Sequence, residues 1–180
     1  MNRSAYFAWL FLTVWAAWLC ALSGYLTQFG WMGRWAPDLG TALFVALAGR
    51  AQVSDIAKFA VCLGIARASV SIDTPAAVLA AALGTGALLR IVRSGFQIDN
   101  PVLGAGLAFL IAALQAGWLE LVHLRTHAVL AADWSDVHVA WRAGISTAIA
   151  TALFSRVLIN LPGLGNLMRR KTWAVGASLR

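Results

Sequence analysis

Six apolar runs, separated by short polar or proline-containing junctions, divide the chain. The first, from about Ala5 to Leu26, is rich in Phe, Leu and Trp. The bilayer core is about 30 Å thick and takes about 20 apolar residues per helical crossing, so this run alone is long enough to span. The junction from Thr27 to Pro37 carries Trp31 and Trp35, whose amphipathic rings suit the headgroup level. A second, shorter helix is predicted to follow Pro37, with Pro37 and Asp38 in first-turn positions where a missing N–H and a negative charge are tolerated. It ends near Gly49-Arg50 and is short for a full crossing. A third is predicted over Ser54 to Val70, with Ser54 or Asp55 as N-cap. Ser71 to Pro75 is a break, and a fourth helix, dominated by Ala and Gly, runs from Pro75 to about Val92. The fifth runs from Pro101 to about His123, and the sixth from about Val137 to Leu161, where Pro162-Gly163 stops it. The chain thus divides into a six-helix transmembrane domain (1–163) and a basic, interfacial tail (164–180).

Composition reinforces the pattern. Of 180 residues, 61% are hydrophobic and only 12% charged, and the mean hydropathy is +0.76. A soluble domain carries about 25% charged residues, so too little polar surface exists here to cover a water-soluble globule. The expected fold class is all-α: a polytopic integral membrane helix bundle of about six transmembrane helices. Arg3, followed by the apolar run and Ala21-Leu22-Ser23, is read as an uncleaved anchor helix and not a cleaved signal peptide.

The net charge is +7. In a soluble protein such an excess would point to nucleic acid, but here the basic residues sit singly or in pairs at the ends of apolar runs. With the N-terminus cytoplasmic, that side holds Arg3, Arg50, Lys58, Arg90, Arg93, Arg169, Arg170, Lys171 and Arg180. The other side holds Arg34, Arg67, Arg125 and Arg142. The asymmetry favours both termini inside. The cluster Arg169-Arg170-Lys171 is the candidate lipid-binding segment.

Candidate chemistry is sparse. Ala76, Ala80 and Gly84 recur every four residues in the fourth helix, as do Ala82 and Gly86. Small residues at that spacing let two backbones approach closely, either within the bundle or against another membrane protein. Glu120, His123 and His127 fall on one helical face, with Asp133, Asp136 and His138 shortly after. Such groups can ligate a divalent metal, but helix ends collect polar residues in any case, and no metal site is assigned. Cys20 and Cys62 lie inside predicted spans and read as small buried hydrophobes, not as a disulfide or metal pair. Arg67 lies within an apolar stretch, where a charge is expensive; it is expected to pair with Asp73 or a partner's acid, or to snorkel to the interface. No triad, phosphate loop or haem-attachment sequence is present, so neither catalytic residues nor a cofactor are assigned.

Three short segments carry a family resemblance: Arg34-Trp35-Ala36-Pro37-Asp38-Leu39, then Gly64-Ile65 followed by the Ser69 to Pro75 turn, then Asp99-Asn100-Pro101. With the order and spacing of the apolar segments from about Trp31 to Leu121, they resemble MreD, the membrane subunit of the bacterial rod-shape machinery (the elongasome). That family is similar in fold to the substrate-binding subunits of energy-coupling-factor vitamin transporters. Where its members usually carry an acidic residue near the end of the third helix, this chain has Arg67, which reverses the local charge.

The resemblance implies a non-catalytic scaffold of peptidoglycan elongation in the bacterial cytoplasmic (inner) membrane. It would hold an MreC-like protein through its helices and associate with the RodA–penicillin-binding-protein synthase and the MreB filament. The partner-binding residues would be Ala76, Ala80 and Gly84, with Arg67 and Asp38. A rival reading is a vitamin-transporter subunit with a pocket lined by Trp31, Trp35, Asp133 and His138. A third is an accessory subunit of another membrane complex, for which nine tryptophans would suit extensive lipid and subunit contact.

Overall fold

A computed structural model describes residues 3–29, 33, 35–95, 100–126 and 134–164. Six α-helices account for most of them: α1 Arg3–Leu26, α2 Leu39–Ala48, α3 Val53–Ala68, α4 Pro75–Gly95, α5 Pro101–Thr126 and α6 Trp134–Ile159. No strand occurs among the described residues. Four helices, α1, α4, α5 and α6, are long and apolar enough to cross a membrane. At 1.5 Å per residue, α2 is only about 15 Å long and α3 about 24 Å, both short of the hydrocarbon core.

The shortness of α2 has a structural reason. Every residue from Gly40 to Ala48 is buried, because α1, α3, α5 and α6 surround it. A helix apolar on all sides belongs in an interior, and α2 is the pillar around which the bundle is built. The longer helices are apolar on their outer faces instead: Phe7, Leu10, Val14 and Trp18 on α1, and Leu153, Phe154 and Val157 on α6, are all exposed. Such a continuous apolar exterior would be insoluble in water and is the surface of a membrane helix bundle.

Several helix boundaries differ from those expected. Asp38 is the N-cap of α2, in extended backbone, and Pro37 lies outside the helix. Gln52, not Ser54 or Asp55, is the N-cap of α3. Asp55 lies one turn further in, where its carboxylate accepts a hydrogen bond from Lys58 Nζ at 2.8 Å. Helix α4 runs three residues past Val92 to Gly95, and α5 three past His123 to Thr126. The sixth helix begins at Trp134 and ends at Ile159. Beyond it, Gly163 takes a positive φ of 87°, and Trp15 Nε1 donates to Pro162 O at 3.1 Å, tying the turn to α1. Leu164 is buried, while Arg169, Arg170 and Lys171 lie outside the described residues.

Candidate functional site

The polar interior is built from the amino end of α2. A helix that starts among packed neighbours has leading N–H groups with no partner in the helix itself, and these need acceptors from the rest of the chain. The chain supplies three. Asp38 N donates to Thr147 Oγ1 of α6 at 2.9 Å. Leu39 N donates to Ser23 Oγ of α1 at 2.9 Å. Thr41 N donates to the Asp38 carboxylate at 3.0 Å, closing the cap. Asp38 therefore places a negative charge at the positive end of the α2 dipole.

That charge is met by Arg67, at the end of α3. Its Nη1 donates to Asp38 Oδ2 at 2.6 Å and to Gln115 Oε1 of α5 at 2.6 Å. Thr41 Oγ1 lies 2.9 Å from Asp38 Oδ2 and 3.1 Å from Gln115 Oε1, and its single proton serves one at a time. Gln115 Nε2 then donates to Thr85 Oγ1 of α4 at 2.8 Å, and Thr85 donates to Ala81 O at 2.7 Å. The network takes side chains from all six helices or their caps. Gln115 is the fifteenth of the 26 residues of α5, and Thr147 the fourteenth of the 26 of α6, so it lies near the mid-length of the longest helices.

Asp38 and Arg67 were both singled out from the sequence, and the fold brings them together. The expected pairing of Arg67 with Asp73 does not occur: Asp73 accepts a hydrogen bond from Ser71 Oγ at 2.7 Å instead. Nor does Arg67 snorkel, its side chain being only 23% exposed and that of Asp38 18%. A cleft of about 270 Å³ reaches the pair past Ser23, Gly24 and Thr27 of α1, Pro37, and Val70 and Ser71 beyond α3. Chemically the pair is self-neutralised, and its geometry joins helices.

The second candidate feature is α4. Its two rows of small residues have different fates. Gly86 faces α3 so closely that a Cβ there would lie 2.6 Å from Ala60 Cβ. Gly64 of α3 reciprocates, with Leu79 and Ala82 of α4 within 3.1 Å of the same notional atom. On the other row Ala76, Ala80 and Gly84 are exposed, and among the described residues nothing lies within 4 Å of a Cβ built on Gly84. Here α4 and α5 diverge. They leave a groove of about 450 Å³ lined by Ala80, Ala81, Gly84, Thr85 and Leu88 on one side and Ile111, Leu114, Gln115 and Trp118 on the other. Ala76, a turn nearer the start of α4, is not part of its lining. Two hydrogen bonds straddle the groove, Gln115 to Thr85 and Trp118 Nε1 to Ala77 O at 3.1 Å.

Other expected sites fare differently. Among the described residues no group of three His, Cys, Asp or Glu side chains could hold a metal ion. Glu120 and His123 lie on the last turns of α5; His127, Asp133 and the side chain of Asp136 are outside the described residues. Trp35 and His138, expected to line a transporter pocket, are exposed and line neither the cleft nor the groove. Trp35 instead lies under the Arg142 guanidinium, 5.9 Å from its ring centroid; Trp31 is outside the described residues. Cys20 and Cys62 are free thiols, half-buried.

Sequence reasoning missed Gln115, Thr41, Thr85 and Thr147. Gln115 had a signal: it interrupts an apolar run that extends from Pro101 to Trp118, and an amide inside hydrocarbon demands a partner. The threonines had none, since a threonine satisfies itself on its own helix. No protein-family model, no curated protein and no solved structure matches the chain.

Proposed function

We propose that this chain is a non-catalytic scaffold subunit of the cell-shape and peptidoglycan elongation machinery, of the MreD kind. It lies in the bacterial cytoplasmic membrane, multi-pass with both termini cytoplasmic. The observation that carries the reading is the open groove between α4 and α5. Ala82 and Gly86 of α4 are consumed by packing on α3; Ala80 and Gly84 face lipid beside a divergent neighbour. Small residues at a lipid-facing surface give up dispersion contacts until another helix fills the space. The occupant is the single apolar membrane helix of an MreC-like protein. It is apolar because the two polar side chains of the groove, Thr85 and Gln115, already bond each other. The ion pair keeps α2 and α3 rigid behind that face, and the basic tail Arg169-Arg170-Lys171 meets headgroups or MreB. The wall synthase joins through the assembled pair.

The transporter reading draws on one observation, the 270 Å³ cleft that ends on Asp38 and Arg67. It is small beside ligand pockets of about 300–1,000 Å³, and its charges are spent on each other.

The test is co-purification in mild detergent, with proteins and small molecules both identified by mass spectrometry. An MreC-like protein or wall synthase recovered with the native chain and lost from an A80L/G84L variant supports the scaffold. A stoichiometric vitamin recovered with an ATPase pair, and no wall protein, overturns it.

A further inference from the structure

At the end of the bundle where α2 stops and α5 begins, a separate cavity of about 460 Å³ opens between α2, α5 and α6. Its lining combines apolar and cationic side chains. Val45 and Ala46 of α2 and Leu153 and Ile159 of α6 give it an apolar wall, while Arg50, just past α2, and Arg156, in the last turn of α6, bring two guanidinium groups to it. Neither guanidinium has an ion pair or a hydrogen bond among the described residues. Asn100 also lines the cavity, with its side-chain oxygen accepting from Val102 N at 2.9 Å. The amino end of α5 thereby adds its partial positive charge to the same place.

Two cations and a helix amino end around one cavity favour an anion, and the apolar wall beside them says which kind. A free phosphate ion would leave that wall unused. A phospholipid would use both, with its phosphate against Arg50 and Arg156 and its acyl chain along Val45, Leu153 and Ile159. The volume lies within the range of about 300–1,000 Å³ usual for ligand pockets. We propose that this cavity is a binding site for an anionic phospholipid, held by the guanidinium groups of Arg50 and Arg156. The site is independent of the scaffold reading and of the groove between α4 and α5.

The test uses the full chain in nanodiscs of phosphatidylcholine with a minor fraction of phosphatidylglycerol, and native mass spectrometry to count retained lipids. The native chain should retain phosphatidylglycerol in preference to phosphatidylcholine. An R50Q/R156Q variant should bind it roughly 30-fold more weakly, the change expected for losing two cation–headgroup contacts. R90Q, which removes an exposed cation of α4 outside the cavity, should leave the preference unchanged. Gly104 lines the cavity, and a Cβ there meets nothing within 4 Å among the described residues, so G104L should fold and weaken binding without altering charge. Equal loss in R90Q, or no preference over phosphatidylcholine, would overturn the site. Saturable binding of inorganic phosphate with no lipid preference would overturn the lipid as its occupant.

Discussion

The two sides of α4 carry the same kind of residue and do opposite things with it. Toward α3, Gly86 and Ala82 meet Ala60 and Gly64 at backbone-approach distance, and no further atom fits. Toward α5, Ala80 and Gly84 border a space that two hydrogen bonds cross and that no side chain of the described residues fills. Small residues therefore do not by themselves announce a partner; what decides is whether a neighbouring helix has already come up against them. Membrane helices gain little from the hydrophobic effect when they associate, so dispersion contact and hydrogen bonding set the difference between a closed seam and an open one.

The difference can be attacked from the polar network first. Arg67→Leu would leave Asp38 charged without its partner at the head of α2, and loss of one member of such a buried pair costs about 3–5 kcal/mol. Unfolding in graded denaturing detergent should show the largest destabilisation in this variant. Adding Asp38→Asn should recover part of it, since the uncompensated charge is then gone.

Next comes the closed seam. Gly86→Leu forces four extra carbons against Ala60, and overpacking of this kind costs about 1–3 kcal/mol. If the same unfolding assay scored Gly86→Leu no worse than Gly84→Leu, the two sides of α4 would not differ and the comparison would fail. Gln115→Leu tests the tie across the groove. It removes the amide that joins Arg67 to Thr85, for about 1 kcal/mol, and should loosen α4 from α5 more than α4 from α3. Hydrogen exchange of the α4 amides, or crosslinking between cysteines placed at Leu88 and Ile111, would register that loosening.

The smallest effect on folding, within about 0.5 kcal/mol, is expected for Gly84→Leu, because the added side chain enters open space. Its consequence belongs to association. The variant should melt like the native chain yet fail to retain an MreC-like protein. A variant that melted normally and still held that partner would place the docking face elsewhere.

Much of the architecture was legible because it follows from local rules. Apolar run lengths marked six helices, and Pro75 and Pro101 marked two starts correctly. Asp38 stood out as a carboxylate at a helix head and Arg67 as a charge in an apolar run. The N-cap of α3 was misjudged, since Ser54 and Asp55 are as acceptable inside a first turn as before it. The partner of Arg67 was misjudged for a different reason. Asp73 is six residues away and Asp38 twenty-nine, and sequence distance favours the nearer acid only while the chain is unfolded.

By itself, then, the sequence determined that the chain forms apolar helices suited to a membrane, where most of them begin, and which few side chains are too costly to leave unpaired in hydrocarbon. Those outcomes depend on hydropathy, length and backbone chemistry, which are local. Only the tertiary structure decided that α2 is an enclosed pillar, that its head is held by side chains from α1, α3 and α6, and that one row of α4 is sealed while the other stays open. Each of these depends on which helices converge and which diverge, and identical small residues carry no record of that until a neighbour occupies the space beside them or leaves it empty.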